Sequence, residues 1–247
     1  MRKTTRTPAL ILAAVVLTGC GTQTGSGSGS EATSDLPEDA VLFGECRADD
    51  PALEGGDVVA EADVDGDGAM NEVAHVATGT GGPCAGALFT TFAGTPSATP
   101  LLESGLERLD VVQLQDTERQ LLLVRGTPHP RGGFDLTLYG GENEKLGPVL
   151  ANGRPLPGFV ATDGTMPPAG ASCTADGGIE TVTSVAHEPP GIILAWDLTT
   201  TTYELDGNTA TQVKVTEREA VADPTLRREQ PDLYDPEAYF ADCVTGS

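Results

Sequence analysis

The sequence predicts an all-β domain, and three observations support this prediction. The chain contains 31 glycines and 18 prolines, which interrupt helices and mark turns. Short runs of Val, Ile, Leu, Thr and Phe recur between Gly, Pro and Asp, as expected for strands joined by tight turns, and no long segment has helical periodicity. The third observation is an internal repeat, which sets the predicted architecture.

The repeat consists of a strand, a loop containing Asp, a second strand, a Gly/Pro-rich loop and a third strand. Its three Asp loops fall at Asp63, Asp116 and Asp176. A fourth element with a Gly turn follows each time, at Gly105, Gly153 and Gly207. These elements predict three four-stranded antiparallel units at residues 57–109, 110–157 and 158–215.

Four short antiparallel strands repeated at a period of about 50 to 60 residues resemble a β-propeller blade. The resemblance implies about three blade-like units, which is fewer than the four to eight blades that usually close a propeller. We therefore expect a partial, propeller-like assembly, with a β-sandwich as the alternative. Residues 36–46 and 215–243 are the segments that could supply further strands.

The C-terminal segment, residues 216–247, differs from the repeats in composition. It is charged, contains three prolines, and clusters its aromatic residues at Tyr234, Tyr239 and Phe240. We expect it to pack back onto the sheets with one short helical turn and to be fixed there by Cys243.

The N-terminus predicts export. Residues 1–19 combine a basic start with an apolar run that is shorter than the roughly 20 residues of a membrane-spanning helix, as in a signal peptide. The run ends in LTGC, which resembles the lipobox of bacterial lipoproteins. The resemblance implies cleavage before Cys20 and attachment of a diacylglycerol to its thiol. The alternative is an ordinary signal peptide with a chance cysteine.

Residues 20–35 continue as a Gly/Ser/Thr-rich stretch with almost nothing to bury, which predicts a flexible tether before an all-β domain at residues 36–247. The predicted location is therefore the cell membrane, lipid-anchored on its extracytoplasmic face. The partners expected there are the membrane, reached through the lipid, and an unknown protein or cell-envelope ligand.

The charge of the chain excludes several kinds of partner. Without residues 1–19 it keeps 11 basic and 37 acidic residues, a net charge of −26. Such a surface repels nucleic acid and anionic lipid headgroups. It suits cations, basic partners or simply solubility outside the cell.

Four cysteines remain once Cys20 is lipidated: Cys46, Cys84, Cys173 and Cys243. An even count in an exported chain predicts two disulfides, with three possible connectivities. We favour Cys46–Cys84 and Cys173–Cys243, because each of these pairs lies at one end of the chain.

The acidic stretch DVDGDGAMN, residues 63–71, predicts a cation site. Side-chain oxygens fall at alternate positions in Asp63, Asp65 and Asp67, Ala69 offers its backbone carbonyl, and Asn71 offers its amide. Alternate residues of a tightly wound loop bring oxygens together from one side, as a hard cation requires. The loop is not an EF-hand, because Ala74 replaces the Glu at position 12 and the flanks alternate as strands do.

This helix-free pattern resembles the calcium loop of FG-GAP or VCBS repeats, which lies between two strands of a blade. The resemblance implies one Ca²⁺ held by Asp63, Asp65, Asp67, the Ala69 carbonyl and Asn71. Asn71 departs from the family pattern, which usually has Asp there, so we expect a lower affinity, with Glu72 as possible compensation. The alternative is a solvated acidic turn without metal. The loops at Asp116 and Asp176 lack the pattern.

Two functions follow from these features. The first is a non-catalytic binding or structural module on the cell surface, since the sequence contains no nucleophile elbow, zincin motif or P-loop. The second is a surface hydrolase whose site uses acids and His129 or His187, both of which follow strands in Gly/Pro loops. A lone histidine beside proline is more often a local hydrogen-bonding residue, and we favour the first function.

Overall fold

The chain folds into short, mostly antiparallel strands, so the predicted all-β class is confirmed. The computed structural model describes residues 40–103, 105–115, 117–130, 132–160, 167–188 and 194–245. In chain order the first strands are β1 (Val41–Phe43), β2 (Cys46–Arg47), β3 (Asp57–Ala62), β4 (Asn71–His75), β5 (Ala87–Phe92), β6 (Thr95–Pro100), β7 (Arg108–Gln113), β8 (Gln120–Arg125) and β9 (Phe134–Glu142).

The later strands are β10 (Lys145–Pro148), β11 (Leu150–Ala151), β12 (Arg154–Pro155), β13 (Pro157–Val160), β14 (Gly170–Cys173), β15 (Ile179–Ala186), β16 (Ala195–Asp206), β17 (Thr209–Ala222) and β18 (Val244–Thr245). The helices among the described residues are short: α1 (Pro51–Glu54), α2 (Asp223–Glu229) and the 3₁₀ turns Thr78–Thr80 and Pro231–Tyr234.

Besides the two-stranded sheet of β1 and β2, the described strands form three larger sheets, numbered here in chain order. The first sheet is a four-stranded antiparallel meander in the order β3-β4-β5-β6. Its fourth strand begins directly after a two-residue turn at Ala93 and Gly94, which both have positive φ, as tight hairpins require. The predicted position of this fourth strand, around Gly105, is wrong, because the hairpin closes earlier and residues 101–103 and 105–107 lie in no strand.

The second and third sheets each have six strands. In the second, β10-β9-β8-β7 form a meander, β18 extends it beside β7, and β13 pairs with β9. In the third, β17-β16-β15-β14 form a meander, and the hairpin β11-β12 extends it, with β11 parallel to β17. The turn at Gly153, predicted to end the second unit, therefore contributes to the third sheet, and the sheets do not correspond one to one to four-stranded blades.

The second sheet is the middle layer, with one core on each face. Leu121, Leu123 and Leu138 lie in a cluster with Ile179 and other residues of the third sheet. Leu122, Val124 and Tyr139 lie in a second cluster with Val73, Leu88 and Phe92 of the first sheet. The continuous apolar run LLLV in the middle of β8 follows from this arrangement, because a strand covered on both faces needs apolar residues at successive positions.

The C-terminal segment packs back onto the sheets, as predicted. Helix α2 places Leu226 in a small core with Trp196 and Leu198 of β16. Phe240 is fully buried in the core between the second and third sheets, and β18 pairs with β7.

The favoured cysteine pairing is confirmed. Cys46 and Cys84 form one disulfide, with a Cα–Cα distance of 4.7 Å, and Cys173 and Cys243 form the other at 6.2 Å. The first disulfide joins β2 to the loop before β5, and the second ties the C-terminal segment to β14. They span 38 and 70 residues, so loop-closure entropy assigns each about 4 kcal/mol of stabilisation.

Candidate metal site

The loop between β3 and β4 winds around the carboxylate of Asp63. Asp63 Oδ1 accepts hydrogen bonds from the backbone N–H groups of Gly66 (2.8 Å) and Asp67 (3.1 Å), and Oδ2 accepts one from Gly68 (3.0 Å). Gly66 and Gly68 have φ of +78° and +86°, a region that L side chains rarely adopt. The two glycines therefore allow the chain to wrap around one buried acid.

The three carboxylates of the loop converge. Asp63, Asp65 and Asp67 each offer an oxygen within 4.8 Å of the others. Asp63 is buried, Asp65 is half-buried and Asp67 is exposed. Burial, followed by the negative charges of Asp67 and Asp63, raises the pKa of Asp65. Three carboxylates this close repel one another, and a cation between them would remove that repulsion.

Two oxygens of the predicted ligand set are buried without a hydrogen-bond partner among the described residues: Asp65 Oδ1 and Asn71 Oδ1. Asn71 is only 7% exposed, and its Nδ2 donates to the carbonyl of Thr91 at 3.2 Å. That bond assigns the nitrogen to Thr91 and leaves the oxygen as a buried acceptor. An unsatisfied buried acceptor costs about 1 to 3 kcal/mol, which coordination to a cation would offset.

The donor set fits a hard cation, because it consists of carboxylate, amide and carbonyl oxygens. Ala69 donates its N–H to Asp67 Oδ1 at 2.7 Å, which holds the exposed carboxylate against the loop. The Ala69 carbonyl remains a predicted ligand.

The loop is attached to the second sheet. Asp63 N–H donates to Gln120 Oε1 at 2.9 Å, and Gln120 N–H donates to the Asp63 carbonyl at 2.7 Å. The next residue, Val64, accepts a hydrogen bond from Gly141 N–H at 2.8 Å. The position of the acidic loop is thereby fixed by β8 and β9.

Arg119 extends this attachment to the third sheet. Its Nε donates to the Val64 carbonyl at 3.3 Å and its Nη2 to the Gly141 carbonyl at 3.1 Å. Its Nη1 donates to the carbonyl of Gly207, in the β16–β17 turn, at 2.6 Å, and Nη2 also reaches Asn208 Oδ1 at 2.8 Å. Burial lowers the pKa of Arg119, and the nearby Glu142 and Asp65 oppose this effect. One guanidinium thus joins elements of all three sheets.

The other two Asp loops differ from the first. Asp116 lies outside the described residues. Asp176 lies in an exposed turn, where a hydrogen bond from the Thr174 hydroxyl lowers its pKa. Within the described part of the chain, Asp63, Asp65 and Asp67 form the one group of acids, histidines or cysteines close enough to share a metal ion.

The structure pairs His129 and His187 each with an aspartate of the following strand. His129 Nε2 lies 2.9 Å from Asp135 Oδ2, and its ring lies edge-on to Phe159. His187 Nδ1 lies 2.7 Å from Asp197 Oδ1, which also accepts from Ala220 N–H at 2.8 Å. The two pairs belong to the second and third sheets respectively, so each histidine makes a local contact.

Sequence reasoning missed Arg119, Gln120 and Gly141, which form hydrogen bonds with the acidic loop, and Asn208, which accepts one from Arg119. They come from other strands and hairpins, and no spacing in the sequence connects them to residues 63–71. Cys20, the predicted lipidation site, lies outside the described residues. None of the described helices has the length and apolar character needed to cross a membrane.

Comparison of the chain with protein-family models, with curated proteins and with solved structures found no match.

Proposed function

We propose that this protein is a membrane-anchored extracellular lipoprotein that acts as a non-catalytic binding or structural β module, stabilised by one calcium ion. The supporting observation is the place of the acidic loop. It combines three converging carboxylates with two orphaned buried oxygens, and it lies where the three sheets meet. A cation there would stabilise the junction of the sheets.

Calcium is the cation whose chemistry matches this loop. Ca²⁺ takes six to eight oxygen ligands, so Asp63, Asp65, Asp67, the Ala69 carbonyl and Asn71 would be completed by water. Extracellular modules bind calcium at about 0.1 to 1 mM, which suits a site with an amide in place of a fourth acid. Bound calcium supplies charge neutralisation, and the residues of the loop supply a preformed turn through the Asp63 hydrogen bonds.

We also propose that the three sheets represent three related units of four antiparallel strands. Each sheet includes a meander of four consecutive strands. Support also comes from contacts between corresponding loops: a Cβ on Gly66 would lie 3.2 Å from the Cβ of Arg119, and a Cβ on Gly177 would lie 2.6 Å from the Gln115 carbonyl. The Asp loops of successive units are therefore neighbours.

The test of the metal is calcium-dependent stability of the full-length chain. At 1 mM Ca²⁺ and a Kd of about 0.1 mM, mass action stabilises the folded state by about 1.4 kcal/mol. We expect chelation to lower the melting temperature of the wild type and to have no effect on Asp65→Asn. Asp176→Asn, in the corresponding turn of the third sheet, is the matched control and should keep the calcium response. Identical melting curves with and without chelator would refute the structural metal.

The anchor has a separate test. We expect Cys20→Ser to release the protein from the membrane fraction or to leave it unprocessed. Unchanged processing and membrane association of this variant would contradict lipidation at Cys20.

A further inference from the structure

A pair of arginines faces the C-terminal segment on the second sheet. Arg108 of β7 and Arg125 of β8 are directly opposite each other in the antiparallel register. Like charges at directly opposite positions destabilise a sheet. Nearby acids offset the two positive charges: Asp110 beside Arg108, Glu107 beside Arg125, and Glu237 beside both.

Neighbouring residues orient the two guanidinium groups through their Nε sides. Arg108 Nε donates to Asp110 Oδ1 at 2.9 Å, and Arg125 Nε lies 3.7 Å from Glu107 Oε2. The Arg125 guanidinium also stacks over the Phe134 ring, 3.7 Å from its centroid. These contacts leave the Nη1 ends of both arginines directed at a common point.

The carboxylate of Glu237 occupies that point. Arg108 Nη1 lies 3.5 Å from Glu237 Oε2, and Arg125 Nη1 is hydrogen-bonded to Glu237 Oε1. Glu237 belongs to the segment between the 3₁₀ turn Pro231–Tyr234 and the Cys173–Cys243 disulfide, and its side chain is 52% exposed. It is thus a carboxylate supplied by a surface segment to a site built on the sheet.

A cavity of about 240 Å³ is lined by the arginine pair, by Glu237 and by Asp110, whose carboxylate is bonded to Arg108. The other lining residues are apolar or aromatic: Leu123, Phe134, Leu136, Pro236, Tyr239, Ala241 and Val244. Small-molecule sites combine an apolar lining with a few convergent polar groups in this way. Arginine is also the side chain best suited to bind a carboxylate, since its planar fork matches the two oxygens.

We propose that this cavity binds a small amphipathic carboxylate with a short hydrocarbon body, and that Glu237 is a tethered occupant of its carboxylate position. The apolar lining favours such a ligand over an inorganic anion. The site goes beyond the proposed function and is independent of the calcium loop. Displacement of Glu237 would leave the C-terminal segment in place, because the disulfide and the fully buried Phe240 hold it.

The test measures binding of sodium hexanoate to full-length protein by calorimetry. A side chain attached through a short segment competes at an effective concentration of the order of millimolar. We expect Glu237→Ala to bind hexanoate at least tenfold more tightly than the wild type, and Glu237→Gln, which keeps the side-chain size, to bind more tightly as well. Adding Arg125→Met to Glu237→Ala should weaken binding at least tenfold, whereas adding Arg228→Met, on the exposed face of α2, should not.

Two further probes separate the parts of the proposal. Hexanol lacks the carboxylate and sulfate lacks the hydrocarbon body, so we expect both to bind Glu237→Ala at least tenfold more weakly than hexanoate. Equal hexanoate affinity in the wild type and both Glu237 variants would overturn the proposal. Hexanol or sulfate binding as tightly as hexanoate would also overturn it, as would binding that survives Arg125→Met.

Discussion

Asn71→Asp tests whether residue 71 of the acidic loop must be an amide rather than an acid in this fold. The substitution introduces the acid that FG-GAP-like loops, which this loop resembles in sequence, usually carry at this position. In this fold, however, Asn71 Nδ2 donates to the Thr91 carbonyl at 3.2 Å, and the side chain is 7% exposed. A carboxylate there would lose the hydrogen bond, direct one oxygen at a carbonyl oxygen and add a buried negative charge beside three acids.

The magnitude follows from these contacts. The lost hydrogen bond is worth about 1 kcal/mol. Leaving a buried charge unpaired lowers the free energy of unfolding by about 3 to 5 kcal/mol. Calcium neutralises the added charge, so it should recover most of this loss. We therefore expect Asn71→Asp to be about 3 kcal/mol less stable than the wild type in chelator, and to show a larger calcium-induced gain than the wild type.

The assay is urea unfolding of the full-length chain with chelator and with millimolar Ca²⁺. Asn143→Asp is the matched control, because it adds the same charge in the exposed β9–β10 turn, where Asp tolerates the positive φ of 52°. The control should change stability by less than about 0.5 kcal/mol under both conditions. If Asn71→Asp is as stable as the wild type in chelator, or its calcium response is no larger, the reasoning about Thr91 and the orphaned oxygen is wrong.

Three further substitutions test the framework around the site. Arg119→Met should cost about 3 to 5 kcal/mol in urea unfolding, because it removes hydrogen bonds that join all three sheets, whereas the exposed Arg228→Met should cost less than about 0.5 kcal/mol. Phe240→Ala should cost about 3 to 5 kcal/mol, since the ring is fully buried, and a loss below 1 kcal/mol would contradict its packing role. Burial raises the pKa of Glu103 above its ordinary value of 4.5, so the folded state favours the protonated acid. The stabilisation from the protonated acid is therefore present below pH 4.5 and is lost as pH rises through the folded-state pKa. Glu103→Gln should be more stable than the wild type at neutral and alkaline pH but not at acidic pH. Parallel curves of stability against pH for the two proteins would refute this.

The sequence was sufficient for the class of fold and for the convergence of Asp63, Asp65 and Asp67 in one loop. Alternating apolar residues and Gly/Pro turns indicate strands directly. The acids of residues 63–71 lie in one short loop, so their spacing in the sequence is enough to predict that they converge. Strand partners were harder, because pairing between distant segments leaves no local pattern. The hairpin at Gly153 is an example: it follows β10 in sequence but joins the third sheet through two residues of β17.

The described residues between β6 and β7, 101–103 and 105–107, show a second limit. The pattern LLESGLERL suggested a strand and a turn, yet Glu103 is buried there and its Oε2 accepts a hydrogen bond from Tyr139 OH at 3.0 Å. The same hydroxyl accepts one from Leu102 N–H at 2.9 Å. A buried acid bonded to a tyrosine two strands further along the second sheet contradicts the usual expectation that Glu is exposed, so composition could not have indicated it.

The loops at Asp63 and Asp176 contact their neighbours by different means, and this determines what calcium removal should change. In the first loop three carboxylates converge and a bound cation would offset their repulsion, while Val64 and Gly66 lie against Arg119. The turn at Gly177 approaches the Gln115 carbonyl so closely that no side chain fits, and it needs no ion. We therefore expect chelation to loosen the contact between the first and second sheets and to leave the contact between the second and third intact. Amide hydrogen exchange in chelator should then become faster only in the first sheet and in the loop at residues 63–71. Uniformly faster exchange in all three sheets would contradict this reasoning.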